Sequence, residues 1–177
     1  VAFGLHVDGT ASSVAGRQLV LAQGAEHAWP HDEVPRASTA SPGWPEPATG
    51  SLGLPLTGDQ QPGYDLIIEM AGDRNLSDDV ELLRSGGRVV LVGAHGAARI
   101  DPVAVMTREL TVTGIAGPNV EPGMKWAIHQ ALAPALEHGL LAPVVGATFP
   151  LQDAGSALAS LSANSGLAAC GKIVLTM

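Results

Sequence analysis

The rhythm of apolar and polar positions changes several times along the 177-residue chain. Leu5 to Ala11 alternates and predicts a short strand that ends at the small pair Ser12 and Ser13. Val14 to Gln23 then carries Leu19, Val20 and Leu21 at helical density, with Gly24 where a left-handed residue closes a helix. His27-Ala28-Trp29 reads as the next strand. From Pro30 to Pro62 prolines and glycines replace periodicity, which predicts a long, mobile, irregular loop with Trp44 available to pin it. Beyond it, Tyr64 to Met70 and Gly87 to Gly93 are unbroken apolar runs bounded by glycine, as expected of parallel strands buried on both faces. Between them Asn75 to Ser85 has Leu76, Val80, Leu82 and Leu83 along one side, so a helix is expected there, capped by Asn75 or Ser77 and stopped by Gly86-Gly87. A short helix or turn at Pro102 to Arg108 leads into a strand at Glu109 to Gly117. Met124 to His138 predicts a helix kinked or split at Pro134. A last helix at Gln152 to Leu161, introduced by Phe149-Pro150-Leu151, and a strand at Ile173 to Met177 close the chain.

Repeated alternation of this kind specifies an α/β fold, a doubly wound parallel sheet with right-handed crossovers. The length fits one domain. Hydrophobic residues make up 46% and aromatic residues 3%, so the core is aliphatic and base-stacking platforms are disfavoured. Nine Lys and Arg against seventeen Asp and Glu give a net charge of −8, the wrong sign for a phosphate-backbone reader, so no nucleic-acid partner is expected. A small anion can still bind an acidic protein where backbone N–H groups and helix N-termini gather. Cys170 is the only cysteine, which excludes an internal disulfide and a cysteine-rich zinc site, and no apolar run has membrane-spanning length. A cytoplasmic setting fits these features.

In open parallel sheets ligands sit just past the carboxyl ends of the strands. Small residues occupy those positions here: Ser12 and Ser13, Ala71 and Gly72, Gly93 and Ala94, Ala116 and Gly117. Each alone is explained by a turn; four together point to a ligand that approaches the backbone. His6, His27, His129 and His138 have no metal-ligand spacing with Cys170 or with carboxylates, and no Ser-His-Asp or Cys-His constellation stands out.

The segment EMAGDRNLSDDVELLRSGGRVVLVGAHGAARIDP, followed by RELTVTGIAG, LLAPVVGATFPLQDAGSALASL and CGKIVLTM, resembles the nucleotide-binding half of the medium-chain dehydrogenase/reductase superfamily. The branch it resembles is the zeta-crystallin type of NADPH:quinone oxidoreductase, and GLHVDGTASS with LVLAQGAEHAWPH is similar to that branch's second strand, helix and third strand. The resemblance implies a Rossmann-like, partial dinucleotide-binding domain over residues 1–177, truncated before its central first strand, with a Pro-rich insertion at about 34–62 and without the GroES-like catalytic domain. No G-x-G-x-x-G turn occurs in the chain.

Carried over position by position, the resemblance puts Ser12 beside the adenosine ribose and its 2′-phosphate, and His31 near the adenine. Asn75 would cap its helix and face a ribose. Val92, Gly93, Ala94 and His95 would pass under the nicotinamide-side ribose, while Ile115, Ala116 and Gly117 offer backbone groups to the carboxamide. Read without the resemblance, His31 is a surface histidine and Asn75 only a helix cap. The absence of an acid just past the first strand favours NADPH over NADH, and the absent glycine-rich turn implies weak or lost binding. The implied chemistry is zinc-independent hydride transfer to a small acceptor, a quinone or an α,β-unsaturated carbonyl, with no catalytic side chain in this segment. A homodimer through the edge strand Glu109 to Gly117 is also expected. The alternative is a non-catalytic remnant that serves as a dimerisation or assembly module.

Overall fold

The computed structural model describes residues 4–35, 63–162 and 170–177. The expected irregular loop, with Trp44, falls almost wholly on residues 36–62 and so lies outside the described residues. The chain divides into two compact units, Pro35–Lys125 and the pair of segments Val1–Val34 and Trp126–Met177.

In the unit Pro35–Lys125, strands β3 (Tyr64–Glu69), β4 (Leu83–Leu91) and β5 (Thr111–Gly114) form a parallel sheet in the order β3-β4-β5. Helices α2 (Gly72–Leu82) and α3 (Pro102–Thr107) make the crossovers. Ile67, Val89 and Val112 lie in one row across the sheet. Leu76 and Val80 of α2, with Ala104 and Val105 of α3, pack on the core around Val89. The rows on either side, headed by Leu66 and Ile68, are different: Ile68 is 57% and Leu66 49% exposed. The expectation that the run Tyr64 to Met70 is buried on both faces therefore fails, because both helices of this unit pack on the one core.

Three local expectations are also corrected. The helix begins at Gly72 rather than Asn75 and ends at Leu82, and Gly86 and Gly87 lie inside β4 instead of stopping it. Asn75 is accordingly within the helix and is not its cap. β5 is shorter than Glu109 to Gly117: Glu109 takes a left-handed φ of 53°, which turns the chain after α3 and delays the strand to Thr111.

In the other unit, β1 (Asp8–Thr10) and β2 (His27–Trp29) pair in parallel around the helix α1 (Val14–Ala22). The Ser13 hydroxyl caps α1 by accepting from the Gly16 N–H at 3.0 Å. A Cβ at Gly9 would stand 2.6 Å from a Val20 methyl, so the absent side chain is what seats α1 on β1. The helix α4 (Pro122–Glu137), which begins before the boundary at Trp126, runs unbroken through Pro134, so of the expected kink or split the split is excluded. Strand β6 (Val145–Pro150) pairs in parallel with β7 (Lys172–Thr176), with α5 (Ala154–Ser162) between them. β6 has no counterpart in the sequence expectation, which saw only a helix start at Phe149-Pro150-Leu151.

Candidate nucleotide site

Because β3, β4 and β5 are parallel, their carboxyl ends share one edge of the sheet. The segments that leave this edge are laced together by backbone hydrogen bonds. Val92 N–H donates to Glu69 O at 2.8 Å, Gly72 N–H to Gly93 O at 2.9 Å and Ile115 N–H to Leu91 O at 2.9 Å. Asn75, Val92, Gly93, Ala94, His95, Ile115, Ala116 and Gly117 all stand on these segments or in the first turn of α2. Val92 and Ile115 are 42% and 48% exposed, so apolar side chains face outward where a ligand can cover them. Ala94, His95, Ala116 and Gly117 are exposed as well.

Two of the three glycines singled out at this edge, Gly93 and Gly117, differ. A Cβ at Gly93 would lie 2.3 Å from the Met70 carbonyl oxygen, so glycine there is required by the close approach of the β3 and β4 exits. At Gly117 no atom lies within 4 Å of the Cβ position. The small residue in one place is packing, and in the other it is open space.

Polar side chains behind the edge were not signalled as site residues by spacing. Glu69, the last residue of β3, is 8% exposed, and its Oε1 accepts from the Ala71 N–H and, at 3.1 Å, from the Asn75 amide nitrogen. Asp79, two turns into α2, is 6% exposed, its Oδ2 has no donor, and it stands one helical turn after Asn75, whose amide holds Glu69. Burial, with the Glu69 charge beside it, pushes the Asp79 carboxyl up to about 7. Asp73 accepts from the His95 N–H at 3.0 Å, which lowers its own pKa. His95 is thus held by its backbone. An acid ending an apolar strand just ahead of a glycine, as in YDLIIEMAG, is the signal that could have found Glu69.

In the other unit, Ser12 and His31 follow the ends of the adjacent parallel strands β1 and β2, and both are exposed. Arg17, missed by the sequence reading, donates to Ala11 O at 3.1 Å and to Ser12 O at 3.4 Å, which brings a cation to the exit of β1. Among the described residues, no three His, Cys, Asp or Glu side chains are grouped to hold a metal ion. No helix of the described residues is long and apolar enough to cross a membrane.

Residues 51–175 match the family described as zinc-binding dehydrogenase. The chain belongs to that family. It is similar to the quinone oxidoreductase of Mus musculus, 35% identical over 179 residues, and to that of Homo sapiens, 33% identical over 178 residues. Each comparison covers 99% of this chain but 49% and 48% of the relative, so the chain spans about half the length of these curated relatives. Among solved structures it is similar to the quinone oxidoreductase of Thermus thermophilus, determined also as a complex with NADPH. That likeness has a TM-score of 0.66 and 34% identity, and covers 91% of this chain and 47% of that one. An NAD-dependent alcohol dehydrogenase, at TM-score 0.69 and 22% identity, covers 99% of this chain and 45% of its own, and supports the fold alone. The expected Rossmann-like α/β architecture and the medium-chain family are both borne out by these likenesses.

Proposed function

We propose that this chain is the NADPH-binding part of an oxidoreductase that passes hydride, without zinc, to a quinone or an α,β-unsaturated carbonyl. The observation that carries the proposal is the laced carboxyl edge of β3-β4-β5, where Asn75, residues 92–95 and residues 115–117 come together. Its exposed backbone and apolar side chains suit a flat cofactor ring and ribose, and Gly117 leaves space for close approach. Asn75 would hold a ribose hydroxyl, and the backbone groups of Ile115 to Gly117 the carboxamide. At the exit of β1, Ser12 and Arg17 would receive a 2′-phosphate, with His31 toward the adenine. When bound, NADPH supplies the reactive hydride from its nicotinamide ring; these residues supply orientation and exclude water.

Affinity is proposed to be weak, since the chain lacks a glycine-rich turn to cradle the pyrophosphate. Calorimetric titration of the chain with NADPH and with NADH tests both points. The expected result is a dissociation constant above the micromolar range and a preference for NADPH. Sub-micromolar binding would overturn the weak-affinity part, and binding of NADH alone would overturn the choice of cofactor.

The proposal includes a homodimer through β5. Among the described residues β5 pairs only with β4, and Thr111, Thr113 and Gly114 are exposed. An isologous copy can continue such an edge. Thr113→Pro removes a ladder donor and should yield a monomer in light scattering. A monomeric parent chain, or a folded and dimeric variant, refutes the dimer.

A further inference from the structure

We infer that Asp79 and Glu69 share one proton as an acid–carboxylate pair, and that this pair positions the Asn75 amide at the sheet edge. Binding there thereby responds to pH. The inference rests on the nucleotide reading above for its ligand, but not for the pair itself.

Asn75, which holds Glu69, and Asp79 are four residues apart on one face of α2, so the two buried carboxyl groups lie side by side, and they contain no donor unless one of them keeps its proton. Asp79 Oδ2 has no donor from the protein, whereas Glu69 Oε1 is already engaged by two, the Ala71 N–H and the Asn75 amide. The economical arrangement puts the proton on Asp79, donated to Glu69, since Glu69 is already used as an acceptor. Burial and the repulsion of Glu69 and Asp78 act in the same direction on Asp79.

Two arginines of neighbouring elements, Arg84 and Arg108, hold partners other than the pair, although Arg108 Nε is buried without one. From β4, Arg84 binds Asp65 of β3 at 2.5 Å and Ser85 O at 2.9 Å, and Arg88 is exposed. From the end of α3, Arg108 donates to the Val80 and Leu83 carbonyls. Within α2, Asp73 faces the His95 N–H, and Arg74 and Glu81 are exposed. Among the described residues none of these arginines is hydrogen-bonded to the pair.

Loss of the proton to solvent leaves two buried anions in contact, with no donor between them. Their separation displaces Glu69 Oε1 from Ala71 N–H and from Asn75, so the first turn of α2 loosens and the amide loses its fixed direction. Asp79 and Glu69 are thus positioning residues, acting on a ligand only through Asn75 and the backbone at Ala71.

The test is a pair of pH series on the 177-residue chain and on Asp79→Asn and Glu69→Gln. Asp79→Asn keeps an N–H donor toward Glu69 but cannot titrate, so it is the conservative rescue; Glu69→Gln removes the anionic partner should the first variant fold poorly. In the first series the side-chain amide resonances of Asn75 are followed by NMR without any ligand. They should shift with a midpoint near neutral pH in the parent chain and stay still in both variants. Resonances that do not move in the parent, or that move equally in Asp79→Asn, overturn the inference. In the second series NADPH affinity should fall about tenfold from about pH 6 to about pH 8 in the parent, while Asp79→Asn keeps its low-pH affinity throughout. An equal fall in both chains overturns the pH response. Asn75 resonances that behave as expected in a chain that binds no NADPH at any pH would instead overturn the nucleotide reading and leave the pair standing.

Discussion

The two units of this chain spend similar sequence material on different degrees of closure. In Pro35–Lys125 a nine-residue central strand has a partner on each side, and one row of branched side chains meets α2 and α3, so the buried cluster of Leu76, Val80, Leu83, Val89 and Leu110 forms. In the other unit the strands come in pairs, and among the described residues only Ala157 and Cys170 are buried members of a core. There Val7, Gly9, Leu19, Val20 and Val144 border an apolar hollow of about 350 Å³ instead of filling it. A parallel sheet needs width before its faces can be covered, and two strands do not provide it. Apolar composition alone does not make a core.

The largest effect that could break this comparison is a cavity in the closed unit. Leu83 is 1% exposed, so Leu83→Ala should cost roughly 2–5 kcal/mol in urea unfolding. Val20→Ala, beside the hollow of the other unit, should cost less than about 1 kcal/mol. Equal costs would show that both units are packed alike. Next comes the sheet edge. Gly93→Ala forces a methyl into the Met70 carbonyl and should destabilise by about 1–3 kcal/mol, whereas Gly117→Ala, with open space around it, should stay within about 0.5 kcal/mol of the parent. If Gly93→Ala is neutral while NADPH affinity drops, the glycine serves the ligand rather than the fold.

A smaller effect sharpens the contrast from the weaker side. Ser13→Ala removes the hydroxyl that caps α1 and should cost about 1 kcal/mol, read as early loss of helical circular dichroism. The last is a slope rather than a step. Asp79 is raised in the folded state from 3.8 to about 7, so between these values the folded chain holds a proton that the unfolded chain has released. Stability contributed by that proton is complete below about pH 4 and is lost as pH rises to about 7. Unfolding midpoints measured across this window should decline with pH in the parent and flatten in Asp79→Asn. A parent curve that rises through the window contradicts the assignment.

Much of the strand and helix order was legible from periodicity, because α2 buries Leu76 and Val80 and β4 buries Leu83 and Val89, while β3 was legible as an unbroken apolar run although it buries only Glu69 fully. Boundaries were not, and the reasons are local. Gly86 and Gly87 read as a helix stop, yet Gly86 sits at φ 74° inside an extended strand, hydrogen-bonded by its N–H to Arg108 O. Asn75 read as a cap, but the Glu69 carboxylate takes the N–H of Ala71, just ahead of the helix, and Asn75 falls inside the first turn. β6 was hidden because Gly146 interrupts its apolar run and Pro150 ends it. The candidate edge at residues 92–95 and 115–117 was found because small residues after strands are visible in sequence. Glu69, Asp79 and Arg17 were not, since what distinguishes them is burial or, for Arg17, a side chain folded back onto the Ala11 and Ser12 carbonyls.

The solitary Cys170 offers a use for the less closed unit. Its thiol is buried at 9% exposure, with Sγ 4.0 Å from where a Cβ on Gly16 would lie. A reagent that modifies thiols must therefore wait for a local opening, and with one cysteine in the chain every labelled molecule records that event alone. Labelling kinetics at Cys170 become a clock for fluctuations of one unit, readable by mass spectrometry while the other stays folded.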